Sequence, residues 1–300
     1  MMNTSKTLLF FGNERLVSGL KTTNVPILKG LIDHGYDIKA VISHHSDGNS
    51  RNNRKLEVAE VAAAHNIPVL LPDRPTDIAD QIASYGAHAA ILVAYGRIIP
   101  QSIIDLFPLG IINIHPSLLP QYRGPTPIES AIINGDSKTG VSIMQLSAGM
   151  DSGPVYGQTE VLLTGHETKF ELYNTIAFKS ATLLFSLLPH ILDESLVPTP
   201  QKNTNASYSQ LLQKSDGQLD PSLLTAVQAD RHVRAYLGFP KSKINLLGQD
   251  CIITKSHVEH SKKTPLDIVC QDGAFLSIDE LVAPSGRTMS AIAFLNGYAA

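Results

Sequence analysis

The sequence holds no tryptophan and only two cysteines, Cys251 and Cys270. Two isolated cysteines exclude a disulfide framework and a cysteine-built zinc site. Charge is sparse as well. Only 17% of residues are charged and the formal net charge is -3, so a polyanion-binding role would have to rest on a local patch. The longest apolar stretch, 177–192, is broken by Lys179, Ser180, Ser186 and Pro189, which argues against a membrane span. The N-terminal residues lack signal-peptide order, so a reducing, cytoplasmic setting is the expectation. Gly-x-Gly-x-x-Gly, a phosphate-binding loop and a Gly-x-Ser-x-Gly elbow are all missing. His44 and His45 have only Asp47 beside them, too few ligands for a site, and no metal is expected.

What is present is a regular alternation. Short apolar runs over 6–12, 37–43, 67–72, 88–96 and 110–115 read as strands. Between them, 26–35, 55–65 and 78–86 read as helices, the first with a proline start and a glycine stop. Strands over 139–146 and 154–163 and a long helix over 168–192 follow. Continuous apolar strands separated by helices predict a doubly wound, Rossmann-like α/β domain with a mainly parallel sheet, over 1–196. Residues 197–207, rich in Pro, Asn, Thr and Gln, read as a linker. The remainder, 208–300, opens with a helical pattern over 221–236. Strand-and-turn segments follow, with turns at Gly248-Gln249-Asp250 and Asp272-Gly273, and a short helix closes the chain over 289–297. That pattern predicts a small antiparallel β-barrel, OB-like in kind.

One stretch concentrates the chemistry: IINIHPSLLPQYRGPTP, residues 111–127. A histidine beside a proline is most often a satisfied loop residue, and Asp151 in SAGMDSG is most often a turn residue. Their placement raises the odds. Doubly wound sheets bind ligands beyond the carboxyl ends of their strands, where His115 falls. Asn113 and His115 are two apart and share a face of their strand. Asp151 lies in the loop after a different strand, which is expected to open on the same crevice. An amide, an imidazole and a carboxylate together suit acyl transfer to an amine, where an oxyanion develops and a proton must leave. Arg123 has two readings, a pin for its loop or a contact to substrate.

The run from Asn113 to Val155 resembles the signature of the folate-dependent formyltransferases. It combines Asn-x-His at a strand end, Ser-Leu-Leu-Pro, Tyr-Arg-Gly, Thr-Gly-Val-x-Ile and Gly-x-Asp-x-Gly, and VAYGRIIP at 93–100 fits the preceding strand and loop. The resemblance implies 10-formyltetrahydrofolate as formyl donor, with Asn113, His115 and Asp151 as catalytic residues. It places Ser117, Leu118, Leu119, Pro120, Tyr95 and Gly96 at the folate. A second domain, and the closing PSGRTMSAIAFLNGY at 284–298, resemble the tRNA-directed branch. They imply initiator methionyl-tRNA as acceptor, with Arg51, Arg54, Lys55, Lys241 and Lys243 as its contacts. A monomer is expected. Residues 205–300 carry nine Lys and Arg against nine Asp and Glu, so an amino sugar on a nucleotide stays open as acceptor. A silent folate- or RNA-binding homologue is the reading from another class.

Overall fold

A computed structural model describes residues 7–44 and 56–298. The first unit contains strands β1 (Thr7–Gly12), β2 (Asp37–Ile42), β3 (Val69–Leu70), β4 (Ala89–Val93), β5 (Ile111–His115), β6 (Lys138–Gln145) and β7 (Val155–Leu162). Its helices are α1 (Pro26–Asp33), α2 (Glu57–Ala64), α3 (Ala79–Ser84), α4 (Gln101–Ile104), α5 (Pro127–Asn134) and α6 (Lys169–Leu192). The sheet order is β3-β2-β1-β4-β5-β6-β7. β1 to β5 are parallel, whereas β6 is reversed and pairs antiparallel with both β5 and β7, so the sheet is mixed. The alternation of β1 shows why it is buried on both sides. Leu8 and Phe10 enter one core with α1 and α6, and Leu9 and Phe11 enter a second core with α3 and α4.

Helix α6 is set by its cap. The Thr168 hydroxyl accepts from the Glu171 N–H, and the Glu171 carboxylate accepts from the Thr168 N–H at 2.8 Å. The helix is long and apolar enough to cross a membrane by length and composition. Its Leu172, Ile176, Leu184 and Leu188 instead join the sheet's larger core.

The second unit holds α7 (Ala226–Ala235), β8 (Ser242–Leu246), β9 (Gln249–Glu259), β10 (Ile268–Val269), β11 (Phe275–Val282), β12 (Thr288–Ser290) and α8 (Ala291–Tyr298). Its strands form one antiparallel sheet, β10-β11-β9-β8, with β12 on β11. The helix expected over 221–236 is shorter. Residues Pro221–Leu223 make a separate 3₁₀ turn, and Thr225 starts α7 afresh through a capping box with Gln228. Residues 289–290 are strand rather than helix.

Residues 197–207 are not a free tether. Thr199 exchanges two backbone hydrogen bonds with Val155, both 2.8 Å, and Ser207 and Ser209 bracket Arg123 at 2.9 and 2.8 Å. Beyond this segment the two units touch through tight contacts. A Cβ on Gly19 would meet the backbone of Gly238 and Phe239, and one on Gly135 would collide with the Arg231 guanidinium. Lys169, fully buried, donates to the Phe239 carbonyl at 2.7 Å and faces Glu129 at 3.5 Å. Burial works against both charges. It pulls the Lys169 ammonium down to about 8 and pushes the Glu129 carboxyl up.

Two predictions follow from these buried charges. Lys169→Met should cost about 3–5 kcal/mol in denaturant unfolding, because it strands Glu129, and adding Glu129→Leu should recover most of it. The Glu14 carboxylate accepts from the Ile27 and Leu28 N–H groups at 2.9 and 2.8 Å, at the start of α1. Burial raises its pKa from 4.5 to about 7. The folded state therefore holds this proton more tightly than the unfolded chain. The resulting stability is fully present below pH 4.5 and is lost as pH rises through 7. Unfolding free energy should fall by about 3 kcal/mol across that window, and Glu14→Gln should flatten the slope.

Candidate active site

The site is built on β5. Ile112 and Ile114 point into the larger core, so Ile111, Asn113 and His115 share the opposite face. Ile111 is covered by the smaller core; Asn113 and His115 continue its row and are 5% and 4% exposed. Polar groups this deep need partners. Asn113 Nδ2 donates to Asp151 Oδ1 at 3.4 Å, and His115 Nδ1 faces Asp151 Oδ2 at 3.6 Å. Asp151 Oδ2 also accepts from the Gly124 N–H at 2.8 Å. The three residues singled out from the sequence thus meet at one carboxylate.

The route of Asp151 to this point differs from the expected one. Because β6 runs antiparallel, its carboxyl end lies beside Ile111 and Ile112 rather than beside His115. The chain after it doubles back, with Gln145 donating its N–H to the Pro154 carbonyl at 2.9 Å. Asp151 sits within that return, at φ 43, a left-handed conformation that an aspartate tolerates.

The imidazole's tautomer follows from its neighbours. His115 Nε2 is 2.9 Å from the Tyr122 carbonyl, which can only accept, so Nε2 carries a proton. Nδ1 is the nitrogen free to gain or lose one, and it faces the carboxylate. The Tyr122 ring is itself fixed. Its hydroxyl donates to Asp136 at 2.6 Å and accepts from Asn134 at 2.9 Å. Burial, with the Asp136 carboxylate, pushes its pKa up to about 12, so it stays protonated.

Residues 117–120 form a rigid floor. Ser117 and Leu119 are buried, and Leu118 and Pro120 are half-buried. Ser142 on β6 holds them. Its hydroxyl donates to the Ser117 carbonyl at 2.6 Å and accepts from the Leu119 N–H at 3.0 Å and from Gln158 at 2.7 Å. That uses every hydrogen-bonding position of a hydroxyl. Gly96 is exposed, whereas the Tyr95 ring is 1% exposed and stands edge-on to Phe11 at 5.5 Å. Its ring therefore belongs to the core and not to the crevice.

Arg123 proves to be a pin. It is 2% exposed and donates to Gln201 Oε1 at 3.1 and 2.8 Å, to Asn203 at 3.0 Å and to the Tyr208 hydroxyl at 3.3 Å. Lys241 is exposed and Lys243 half-buried, at the start of β8, and neither joins the hydrogen bonds of the site. Arg51, Arg54 and Lys55 lie outside the described residues. Ser142, Gln158 and Gln201 were not anticipated. A serine inside an apolar strand could have flagged the first; Gln201 sits in a polar stretch that carries no such signal. Among the described residues no cluster of His, Cys, Asp and Glu has metal-binding placement.

Comparison with known proteins places these residues in context. The family model described as "Formyl transferase" matches residues 15–188. The chain is 33% identical over 298 residues to methionyl-tRNA formyltransferase of Chloroflexus aurantiacus, covering 94% of this chain and 96% of that one. It is 35% identical to the enzyme of the same name from Nitrobacter hamburgensis, covering 91% and 92%. Among solved structures, an N-formyltransferase from Helicobacter canadensis with folinic acid and dTDP-3-aminofucose shares the fold. Its TM-score is 0.68 at 17% identity, covering 90% of this chain and 98% of that one.

The saturated hydroxyl of Ser142 yields a prediction. Ser142→Ala leaves a buried carbonyl and a buried N–H without their partner, and should cost about 1–3 kcal/mol in thermal or denaturant unfolding. Ser142→Thr, which keeps the hydroxyl, should recover part of that loss.

Proposed function

The chain belongs to the formyl transferase family, and from that premise we propose that it moves the formyl group of 10-formyltetrahydrofolate to the α-amine of initiator methionyl-tRNA, for translation initiation. The observation that carries this reading is the meeting of Asn113, His115 and Asp151 within a chain that matches methionyl-tRNA formyltransferases along nearly their whole length. A folate also suits the surroundings. Met150, 62% exposed and next to Asp151 in the chain, offers an apolar surface that a flat heteroaromatic ring would cover.

In the reaction the amine nitrogen bonds to the formyl carbon, that carbon's bond to the folate nitrogen breaks, and the amine's proton passes to the folate nitrogen. The residues of this chain supply three things. Asn113 offers an amide N–H to the oxygen on which charge develops. His115 has committed Nε2 to the Tyr122 carbonyl, so its Nδ1 side serves the reaction. Asp151, beside Nδ1, orients the imidazole and helps move the amine's proton. Residues 117–120, with Gly96 and the backbone of Tyr95, line the folate. Preformed by Ser142, that loop loses little freedom when folate binds.

The wider assignments belong to the same proposal. Residues 1–196 form the catalytic domain and 208–300 an OB-like, tRNA-binding domain. The candidate tRNA contacts are Arg51, Arg54 and Lys55 of the catalytic domain and Lys241 and Lys243 of the second. The protein works as a cytoplasmic monomer without a metal. The amino-sugar acceptor remains the second reading, favoured by the even charge of 205–300 and by the fold shared with a sugar-directed enzyme.

The test is a paired assay with 10-formyltetrahydrofolate, offering methionyl initiator tRNA in one arm and a nucleotide-linked amino sugar in the other. Formylation of the tRNA is expected; formylation of the sugar alone would overturn the assignment. Asn113→Ala and His115→Ala should each lower kcat about a hundredfold or more, since a preorganised donor of this kind is worth about 3 kcal/mol. Both variants should retain the wild-type circular dichroism spectrum.

A further inference from the structure

We propose that Gln201 is a positioning residue for Asp151, and that the segment joining the two units is thereby a wall of the active site. The proposal rests on the reading of Asp151 as a group that serves formyl transfer. Gln201 Nε2 donates to the Asp151 carbonyl at 2.8 Å and to the Gly153 carbonyl at 2.7 Å. Its Oε1 accepts two N–H groups of Arg123, at 3.1 and 2.8 Å. A primary amide has two donors and two acceptor positions, and all four are used here.

The arrangement fixes both sides of the Asp151 carboxylate. On one side Arg123 belongs to the loop whose next residue, Gly124, donates its N–H to Asp151 Oδ2. On the other, Gln201 holds the carbonyl of Asp151 itself, at a left-handed φ of 43 that the backbone would not choose unaided. One side chain therefore locks the loop of Asp151 to the loop that follows His115. The partners of the buried Arg123 guanidinium, Gln201, Asn203 and Tyr208, are all uncharged. Its charge is thus not spent on the Asp151 carboxylate, whose side-chain neighbours are Asn113 and the His115 imidazole.

Gln201→Glu separates this function from simple packing. The variant has the same shape and still accepts from Arg123, now with opposite charge. It replaces the amide nitrogen and its two N–H donors by one oxygen that faces two carbonyls, so the Asp151 loop must shift. In the full-length enzyme, kcat should fall about tenfold or more, because displacement of a catalytic group by about 1 Å is that costly. KM for both substrates should change by less than about threefold, since neither is touched by Gln201. In an Asp151→Asn background the same change should cost less than about twofold more, because a residue acting through Asp151 has nothing left to act on. Should Gln201→Glu fail to fold, Gln201→Met gives the same comparison without charge. Equal losses in both backgrounds, or wild-type kcat in the single variant, would overturn the proposal. A wild-type enzyme that transfers formyl to neither acceptor would instead overturn the functional reading on which it rests.

Discussion

Asn113 and His115 occupy a row of β5 that is otherwise apolar and closed to water. A sheet strand cannot turn such side chains outward without a register slip that would expose Ile112 and Ile114. The polar groups must therefore be matched where they are, and most of the surrounding irregular chain is committed to doing so. The return between β6 and β7 brings the Asp151 carboxylate. The turn after β5 brings the Tyr122 carbonyl to the imidazole. Gly124 brings an N–H to the carboxylate. Satisfying two buried side chains and assembling a reactive group of three are here the same structural problem. The burial of Asn113 and His115 strengthens the interactions they make there.

The second unit is attached to this arrangement by contacts that leave little freedom. The backbones at Gly19 and Gly238 are too close for any side chain. Arg231 of α7 lies against Gly135 at the carboxyl end of α5, where the helix dipole favours a positive charge. Lys169, at the first turn of α6, reaches across to the Phe239 carbonyl. These are short-range, shape-dependent contacts, unlike the polar and larger-scale surfaces of units that move against one another. An acceptor held by the second unit would therefore be presented to β5 in a set orientation.

Much of this was legible in the residues, for reasons that can be stated. Buried strands such as LLFF at 8–11 announce themselves because both faces must be apolar. The same-face relation of Asn113 and His115 needs only a period of two. The direction of β6 was not legible, since a strand's alternation is the same whichever way it runs. Helices α4 and α5 were missed: the first has four residues, and the second lies in the proline-rich loop whose residues were read for chemistry. Tyr95 was read as a ligand contact because the motif names it, but its ring alternates inward and packs on Phe11.

Residues 197–207 are where composition misled most. Proline, asparagine, threonine and glutamine are what a solvated tether is made of. They are also the residues with the most side-chain and backbone groups left over to satisfy someone else's. Here Gln201 and Asn203 serve a buried guanidinium, and Ser207 and Ser209 bond the backbone of residues 122–126. The polarity that suggests disorder is thus complementary to the polar loop over 122–126. The same segment hydrogen-bonds the backbone of Asp151 through Gln201 and continues along the chain into the second unit.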